Sequence, residues 1–318
     1  MNKKQQKVLV VRLSSIGDIV LTTPVVRGLA QQLGAEVHFL TKGIFAELLI
    51  GNPFISKIWT LKDDFRSLIR ELKTEGFDYI IDLHKNLRSL RLSLALNTRR
   101  LTYNKTTFEK FLMVNFKINL LPRLHVVDRY MKALKPLGVV NDGKGLDFFI
   151  EPQTAYLLEN TRRPFICAVI GATHFTKRLP DENWIRYINS SQDLIVLIGG
   201  KTEIPAADNI VALTGDNVIN MVGRSSLQES ALILKHAEKV VTNDTGMLHI
   251  AAALRKPVVS LWGGTLKEYG FWPYYPEGMD LNRSLEIEDL RCRPCSKFGR
   301  DSCPKGHFRC MREIEIKI

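Results

Sequence analysis

The fold of this chain is decided by the stretch Lys7-Val8-Leu9-Val10-Val11-Arg12-Leu13-Ser14-Ser15-Ile16-Gly17-Asp18. Its first part, Lys7–Leu13, is a short apolar run rich in valine, which is typical of a strand buried in a parallel sheet. A turn of small residues follows, and a helical pattern then extends from Leu21 to Leu33, where Gly34 ends it. A strand that leads through a tight turn into a helix is the repeating step of a doubly wound α/β domain.

The same alternation of strands and helices continues in both halves of the chain. Loop-forming residues cluster between 141 and 163, and a new buried-strand pattern begins at Phe165. We therefore predict two α/β domains with parallel sheets, residues 1–150 and residues 151–318, and ligand binding in the cleft between them at the carboxyl ends of the strands. The other predicted strands are Glu36–Leu40, Ile58–Thr60, Tyr79–Leu83, Leu194–Ile198, Lys239–Val241 and Pro257–Trp262.

Length and composition are those of an ordinary soluble protein. The 318 residues are 45% hydrophobic and 25% charged, which suits two domains with cores of their own. No apolar run approaches the ~20 residues of a membrane-spanning helix. The apolar run Val8–Val11 is too short for the core of a signal peptide, and we expect a cytoplasmic protein.

Positive charge is concentrated in the first half. Residues 1–150 contain 24 Lys and Arg against 13 Asp and Glu, whereas residues 151–318 contain 21 against 20. This asymmetry favours an anionic partner for the first half, and nucleic acid, an anionic membrane and a phosphorylated glycolipid all fit. No recognised nucleic-acid-binding motif is present, so we expect no nucleic-acid partner.

Three loops lead from a predicted strand into a helix, an arrangement that presents backbone N–H groups to a ligand. In the first, Asp18 follows small residues and is either a helix cap or a general base. In the second, Gly171–Pro180, hydroxyl groups and Lys177 suit a diphosphate, although a solvated loop has the same composition. In the third, Asp244, Thr245 and Gly246 form the turn, and His249 lies one helical turn later, either facing an anion or buried in the core.

Four cysteines lie within 19 residues near the end of the sequence, at Cys292, Cys295, Cys303 and Cys310, with His307 among them. In a cytosolic protein such a cluster indicates a structural zinc site or reduced structural thiols rather than disulfides. The spacing differs from that of a zinc ribbon, and both interpretations stay open.

Taken together and in this order, the motifs resemble glycosyltransferase family 9, the ADP-heptose heptosyltransferases of lipopolysaccharide synthesis. The resemblance extends from residue 7 to about residue 310. The matching segments are KVLVVRLSSIGDIVLTTP (7–24), DLHKNLRS (82–89), HVVDRY (125–130), GATHFTKRLP (171–180), VGRSSL (222–227), NDTGMLH (243–249) and PVVSLWGGT (257–265).

This resemblance implies a GT-B fold, in which two Rossmann-like domains face a central cleft, with the acceptor on the first domain and the sugar nucleotide on the second. It also implies inversion at the anomeric carbon without a metal or other cofactor, and the chain has no Asp-x-Asp motif. Asp18 is then the catalytic base. The residues expected to bind the ADP-sugar are Ser14, Thr173, Lys177, Glu203 near the ribose, Ser225 near the adenine, Asp244, Thr245, Gly246 and His249.

On the acceptor side, no acidic residue lies between Asp82 and Glu109, and Lys85, Arg88 and Arg91 are expected to bind the phosphates and carboxylates of a lipid A–Kdo core. We also expect peripheral contact with the anionic cytoplasmic face of the inner membrane. A solvated basic helix packed by its leucines is the alternative for this stretch. Two other functions stay open: transfer from another nucleotide sugar to a surface glycan, and an inactive protein that binds a sugar nucleotide or an anionic glycolipid.

Overall fold

The computed structural model describes residues 5–159, 161 and 163–317. The first four residues, positions 160 and 162 of the predicted loop-rich stretch, and residue 318 lie outside the described residues. The chain forms two compact units. The first comprises the residues up to Lys105 together with Leu124–Glu151, and the second comprises Thr106–Arg123 together with the residues from Pro152 onward. The segment 106–123, which the sequence prediction placed in the first domain, thus groups with the second unit.

The described residues of the first unit form a five-stranded parallel sheet in the order β3-β2-β1-β4-β5. Its strands are β1 (Lys7–Val11), β2 (Glu36–Lys42), β3 (Lys57–Leu61), β4 (Tyr79–Asp82) and β5 (Arg99–Thr102). Its helices are α1 (Ile16–Val20), α2 (Thr23–Leu33), α3 (Phe65–Glu75), α4 (Leu87–Leu96) and α6 (Val126–Lys132), and Gly43–Leu49 is a 3₁₀ helix. The strand order places the topological switch point between β1 and β4, where α/β sheets bind ligands.

The first loop differs from its prediction in one respect. Residues Ile16–Val20 form the short helix α1, not a turn, and α2 begins at Thr23, with Pro24 in its first turn. The backbone N–H of Ser15 donates to the Asp18 carboxylate, which satisfies a donor that the first turn leaves free and lets the helix begin early. Asp18 therefore has the capping position that was one of its two interpretations, and α2 ends as predicted before Gly34, which has a positive φ of 63°.

In the second unit, the described residues form a six-stranded parallel sheet in the order β11-β10-β9-β6-β7-β8. The strands are β6 (Phe165–Val169), β7 (Leu194–Ile198), β8 (Val218–Asn220), β9 (Lys239–Asn243), β10 (Val258–Trp262) and β11 (Asn282–Glu286). The helices are α5 (Thr107–Phe116), α7 (Asp181–Ser190), α8 (Ile204–Ala212), α9 (Leu227–His236), α10 (Gly246–Ala253) and α11 (Arg309–Arg312). Here the switch point lies between β6 and β9.

Both sheets are buried on two faces, as the continuous apolar strands predict. Residues Val8–Val11 of β1 and Leu194–Ile198 of β7 are buried throughout. The largest fully buried side chains of the second unit are Trp184, on α7, and Trp262, at the end of β10. Among the described residues, none of the helices has the length and apolar character needed to cross a bilayer.

Candidate active site

Asp18 lies in α1, just beyond the carboxyl end of β1, and is ion-paired with Arg12. The distance from Arg12 Nη2 to Asp18 Oδ1 is 2.6 Å. The other carboxylate oxygen, Oδ2, accepts a hydrogen bond from the Ser15 hydroxyl at 3.0 Å. The Asp18 side chain remains 23% exposed, so the carboxylate is held in one orientation without being closed off from a ligand.

Arg12 is itself fixed by the ends of two neighbouring strands. Its side chain is 9% exposed, and its other N–H groups donate to Ser14 O at 2.8 Å, Leu83 O at 2.5 Å and the Tyr130 hydroxyl at 3.2 Å. A guanidinium with this many fixed acceptors has little freedom to leave the carboxylate. No role for Arg12 was predicted from the sequence, because nothing local indicates that its side chain turns back toward Asp18.

The ion pair determines the charge state of Asp18. Burial by itself raises the pKa of this carboxyl, but the Arg12 charge and the hydrogen bonds from Ser15 outweigh burial and hold the pKa below the ordinary aspartate value. Asp18 is therefore a carboxylate at neutral pH and is ready to accept a proton.

A cavity of about 930 Å³ opens at the carboxyl edge of the first sheet. It is lined by residues at the end of β2, in the segments that follow β1, β3 and β4, and in the first turns of α3 and α4, and most of its charged groups are cationic. The lining residues are Leu13, Ser14, Lys42, Asp63, Asp64, Phe65, Arg66, His84, Asn86, Leu87, Arg88 and Arg91. Such a surface suits a ligand that carries several negative charges.

Of the predicted acceptor residues, Arg88 and Arg91 line this cavity from the first turns of α4. Lys85 does not line it, since its Nζ donates to Tyr103 O at 3.0 Å. Ser14, predicted on the nucleotide side, lines the cavity of the first unit. Arg66 and Lys42 were missed because they lie outside the basic stretch between Asp82 and Glu109, from which the acceptor residues were predicted.

His84 is a further cavity residue to which the sequence analysis gave no role. Burial, together with the charges of Arg12 and Lys105, lowers the pKa of His84 to about 4. The imidazole is therefore neutral at physiological pH, and among the described residues its buried Nδ1 has no hydrogen-bond partner. A role for His84 could have been predicted from its position just after β4, because residues at the carboxyl end of a strand beside the switch point commonly face a ligand.

At the switch point of the second sheet, Lys177 meets Asp244. Lys177 Nζ lies 2.7 Å from Asp244 Oδ2, and the Thr265 hydroxyl donates to the same oxygen at 2.8 Å. The predicted residues of the second and third loops are thus brought together, with Lys177 after β6 and Asp244 after β9. Their side chains are 17% and 12% exposed, so the pair is largely shielded from solvent.

Asn243 fixes the distance between these two loops. It is fully buried at the end of β9, its amide donates to Ile170 O at 3.0 Å, and its side-chain oxygen accepts from Leu179 N at 3.1 Å. One side chain thereby ties both ends of the loop that contains Lys177 to the strand that leads to Asp244. Sequence reasoning missed this role because a strand-terminal Asn has no distinctive pattern.

The remaining nucleotide-side predictions are distributed along the same edge of the second sheet. Thr245 caps α10 by accepting from Met247 N at 3.0 Å, Gly246 is the first residue of that helix, and His249 is buried one turn later. Thr173 is exposed on its loop. Glu203 accepts from Gly200 N at 2.9 Å, and Ser225 exchanges a hydrogen bond with Ser230 at 2.8 Å, before α9.

The cysteine-rich tail packs against the loop that contains Lys177. Thr176 N donates to Arg300 O at 3.0 Å, Arg300 N donates to the Thr176 hydroxyl at 2.8 Å, and Cys295 N donates to Gly264 O at 3.1 Å. Arg293, whose side chain is 6% exposed, donates to Gly263 O at 2.7 Å and pairs with Glu286 at 2.8 Å. The tail therefore supports the residues on either side of the Lys177–Asp244 pair.

The expectation of a structural zinc site is not supported. In the part of the chain that the structure describes, no three His, Cys, Asp or Glu side chains are arranged so that they could hold a metal ion. The four thiols of the tail are free, and burial raises the pKa of Cys310 to about 12 and raises that of Cys295 as well. The alternative prediction, reduced structural thiols, fits their packing.

Comparison with known proteins identifies the family. The model of "Glycosyltransferase family 9 (heptosyltransferase)" matches residues 65–297. The chain belongs to glycosyltransferase family 9. It is therefore a glycosyltransferase of the heptosyltransferase family of lipopolysaccharide synthesis, as the ordered motifs of the sequence predicted.

Two curated relatives of this family-9 chain have similar lengths. Lipopolysaccharide heptosyltransferase 1 of Pseudomonas aeruginosa is 26% identical in an alignment that covers 92% of this chain and 86% of the relative. Lipopolysaccharide heptosyltransferase 1 of Salmonella typhimurium is 24% identical in an alignment that covers 81% of this chain and 89% of the relative.

Solved structures of the family share the fold. A family 9 glycosyltransferase from Veillonella parvula superimposes with a TM-score of 0.73 at 22% identity, covering 89% of this chain and 86% of that one. The heptosyltransferase WaaC of E. coli, solved with ADP, gives a TM-score of 0.66 at 19% identity and covers 96% of both chains. The predicted GT-B fold class, with two Rossmann-like units, is therefore confirmed.

Proposed function

We propose that this family-9 enzyme transfers a heptose from ADP-heptose to an anionic inner-core acceptor of lipopolysaccharide, such as a Kdo- or heptose-bearing lipid A. In this proposal, transfer proceeds with inversion and needs no metal or other cofactor. The curated relatives are lipopolysaccharide heptosyltransferases, and WaaC has been solved with ADP and with ADP-2-deoxy-2-fluoro heptose. The proposal assigns residues 1–150 to acceptor binding and residues 151–318 to donor binding.

The proposal rests on the ion-paired carboxylate of Asp18. This carboxylate lies at the carboxyl edge of the first sheet, and the cationic cavity opens at the same edge. Ser14, four residues before Asp18, lines that cavity, and the charge of Asp18 acts on the pKa of His84, another lining residue. A proton acceptor next to a surface for anions suits a hydroxyl nucleophile on a phosphorylated or carboxylated sugar.

In the proposed reaction, the acceptor hydroxyl gives its proton to Asp18 as its oxygen forms a bond to the anomeric carbon of the heptose. The bond from that carbon to the β-phosphate oxygen breaks, and its electron pair leaves with ADP. The new bond forms opposite the breaking one, which inverts the configuration. A positioned base of this kind typically contributes about 10²–10⁴ in rate.

On the donor side, we assign the diphosphate to Lys177 and to the backbone amides around Thr245 and Gly246. Lys177 offsets the charge that develops on the leaving ADP, and amides at a helix N-terminus add partial positive charge. Asp244 and Thr265 orient the Lys177 ammonium. Thr173, Glu203, Ser225 and His249 remain proposed contacts to the phosphates, the ribose, the adenine and the transferred sugar.

On the acceptor side, we assign the anionic groups of the glycolipid to Arg88 and Arg91, and we add Arg66 and Lys42 from the cavity wall. His84, neutral at physiological pH, lines the same cavity and adds no charge to it. Lys85 acts indirectly, since it holds the Tyr103 backbone. Because the acceptor is a membrane lipid, we place the enzyme at the cytoplasmic face of the inner membrane.

The test is acceptor-dependent ADP release from ADP-heptose and Kdo-lipid A in the presence of EDTA. We expect the wild type to release ADP and Asp18→Asn to lose ~10²-fold or more of that rate. ADP binding, measured by calorimetry, should stay unchanged in Asp18→Asn because the substitution keeps the side-chain volume. Asp63→Asn is the matched control, since Asp63 also lines the cavity but has no proposed part in proton transfer.

Each outcome decides between the functions. Turnover that survives Asp18→Asn excludes Asp18 as the base. Binding of ADP-heptose without release from any inner-core acceptor indicates an inactive binder, whereas release from another nucleotide sugar assigns a different donor. Loss of turnover with EDTA in the wild type excludes metal-independent transfer.

A further inference from the structure

Helix α5 is apolar yet exposed. Its sequence, Thr107-Phe-Glu-Lys-Phe-Leu-Met-Val-Asn-Phe116, has six large apolar side chains in ten residues, and none of the ten residues is buried. A helix of this length is marginally stable in water unless one of its faces packs against something. In α5, the side chains of Leu112, Met113 and Val114 are half-buried, but those of Phe108, Phe111 and Phe116 lack that cover.

Exposed apolar side chains are concentrated here. Five large ones lie between residues 108 and 120, and they project from α5 and from the chain that follows it. They are Phe108 (66% exposed), Phe111 (46%), Phe116 (61%), Ile118 (49%) and Leu120 (58%). Single exposed apolar residues are normal on a protein surface, but a contiguous group indicates a binding surface.

The opposite side of the segment is attached to the second unit by its lysines. The ammonium of Lys110 lies 5.3 Å from the ring centre of Tyr269 and 4.9 Å from that of Phe271. Lys117 Nζ donates to Pro294 O at 2.7 Å. On the helix, Lys110 lies on the face opposite Phe108, so these contacts direct the phenylalanines away from the unit.

The local charge indicates what covers this surface. Residues 106–123 carry Lys110, Lys117 and Arg123 but only one acidic residue, Glu109. In the longer stretch 83–127, nine Lys and Arg accompany that single Glu. Phenylalanine and leucine flanked by basic residues are the composition of helices that lie in the interface of an anionic bilayer.

We propose that residues 107–120 form an interfacial anchor that inserts Phe108, Phe111 and Phe116 into the headgroup boundary of an anionic phospholipid bilayer. The choice of a membrane rests on the proposed glycolipid acceptor, which resides in one. A second copy of this chain fits less well, because face-to-face pairing would bring two basic segments together. Moreover, a ten-residue helix, about 15 Å long, offers little of the ~800 Å² per partner that a stable dimer buries.

The experiment is flotation of the full chain with vesicles that contain neither donor nor acceptor. One set contains phosphatidylethanolamine with phosphatidylglycerol and cardiolipin, and the other contains phosphatidylcholine alone. The test variant is Phe108→Ser with Phe116→Ser. The control is Val140→Ser with Leu213→Ser, which removes two apolar side chains that are 65% and 58% exposed elsewhere on the surface.

We expect the wild type and the control to float with the anionic vesicles, and the test variant to bind them at least about tenfold more weakly. ADP affinity and circular dichroism should be unchanged, which shows that the test variant is folded. Added salt should weaken binding in part, because it screens the charges but leaves the apolar contact intact.

Three results would overturn the anchor: equal binding by the test variant, no binding of the wild type to anionic vesicles, or self-association in solution that Phe108→Ser with Phe116→Ser abolishes. Failure of the proposed transfer reaction is a separate result. It appears in the ADP-release assay with detergent-dispersed acceptor, and vesicle binding without substrates does not depend on it.

Discussion

Arg12 and Asp18 form a 2.6 Å ion pair at the carboxyl end of the first strand, and the same guanidinium is held by the backbone oxygens of Ser14 and Leu83. The base of the proposed reaction is therefore oriented by an arginine that bridges the ends of β1 and β4. The lowered pKa makes the Asp18 carboxylate a weak base, but it also keeps the carboxylate ionised at neutral pH. Catalysis then depends on where the carboxylate points rather than on a raised pKa.

Replacement of Arg12 should shift the pH dependence of the reaction. In the wild type the pKa of Asp18 is below the ordinary aspartate value, so kcat/KM should fall only as the pH drops through that lowered pKa. The stabilising effect of the pair is likewise present above the ordinary pKa and is lost as the pH falls through the lowered one. Arg12→Met removes the positive charge, and the acidic limb of the kcat/KM profile should move to higher pH.

Arg12→Lys is the companion variant, since it keeps the charge but loses the planar guanidinium that reaches Ser14 and Leu83. Its acidic limb should lie closer to that of the wild type, with a lower kcat because the carboxylate is less firmly oriented. An unchanged profile in folded Arg12→Met would show that Arg12 has no influence on the base.

Arg88 and Arg91 should determine acceptor affinity. Each offers a charged donor to the cavity, and its loss is worth about 1.4 kcal/mol, or tenfold in KM for the acceptor. Arg88→Ser and Arg91→Ser should raise that KM and leave the affinity for ADP unchanged. Arg70→Ser is the control, because Arg70 is exposed on α3 and does not line the cavity. A similar loss in Arg70→Ser would indicate general electrostatic attraction instead of a binding site.

Lys177 and Asp244 should act as one unit in binding ADP. Lys177→Met removes the cation and should weaken ADP binding by at least about tenfold. Asp244→Asn should cost less, because it removes only the group that orients Lys177. The double variant should bind ADP no more weakly than Lys177→Met alone, since coupled residues are not additive.

Calorimetric titration with ADP measures all three Lys177 and Asp244 variants, and Lys235→Met, an exposed lysine of α9, is the control for net charge. Fully additive losses in the double variant would mean that Asp244 binds the nucleotide independently of Lys177.

Arg293 should stabilise the second unit. Its side chain is 6% exposed, pairs with Glu286 and donates hydrogen bonds to the backbone of the 263–265 loop. Arg293→Met leaves the Glu286 carboxylate partly buried with one cation fewer, and breaking such a pair costs about 3 kcal/mol. Denaturant unfolding should show this loss together with a weaker affinity for ADP.

Arg309→Met provides the comparison for Arg293, because the Arg309–Glu313 pair is exposed and such pairs contribute little to stability. Equal unfolding midpoints for Arg293→Met and Arg309→Met would show that the buried contacts of the tail do not support the donor loop.

Much of the fold was predictable from local sequence. The strands at Lys7–Val11, Leu194–Ile198 and Val258–Trp262 are continuous apolar runs, and their period and length are sufficient to identify them. The strands β5, β8 and β11 were missed, because three to five partly polar residues form a strand only when a neighbouring strand supplies hydrogen bonds. The helix α1 was predicted as a turn, because five residues are too few to show a helical period.

For the candidate site, the sequence identified the loops but not their contacts. Asp18, Lys177 and Asp244 were named from motifs, whereas His84 and Asn243 were not, since each acts through neighbours distant in sequence. Lys85 was named because it lies in a basic stretch, but its ammonium donates to the backbone oxygen of Tyr103 and does not line the cavity.

The alternation of buried strands and helices, the family and the loops that bear reactive groups follow from the sequence, because these depend on short-range periodicity and on residue type. Three contacts arise only in the folded chain: Arg12 turns onto Asp18, Lys177 reaches Asp244 from the neighbouring strand, and the cysteine-rich tail supports the donor loop. Each of these contacts joins groups whose side chains meet only after the parallel strands have taken their order in the sheet, and that order is set by packing and hydrogen bonds between distant segments.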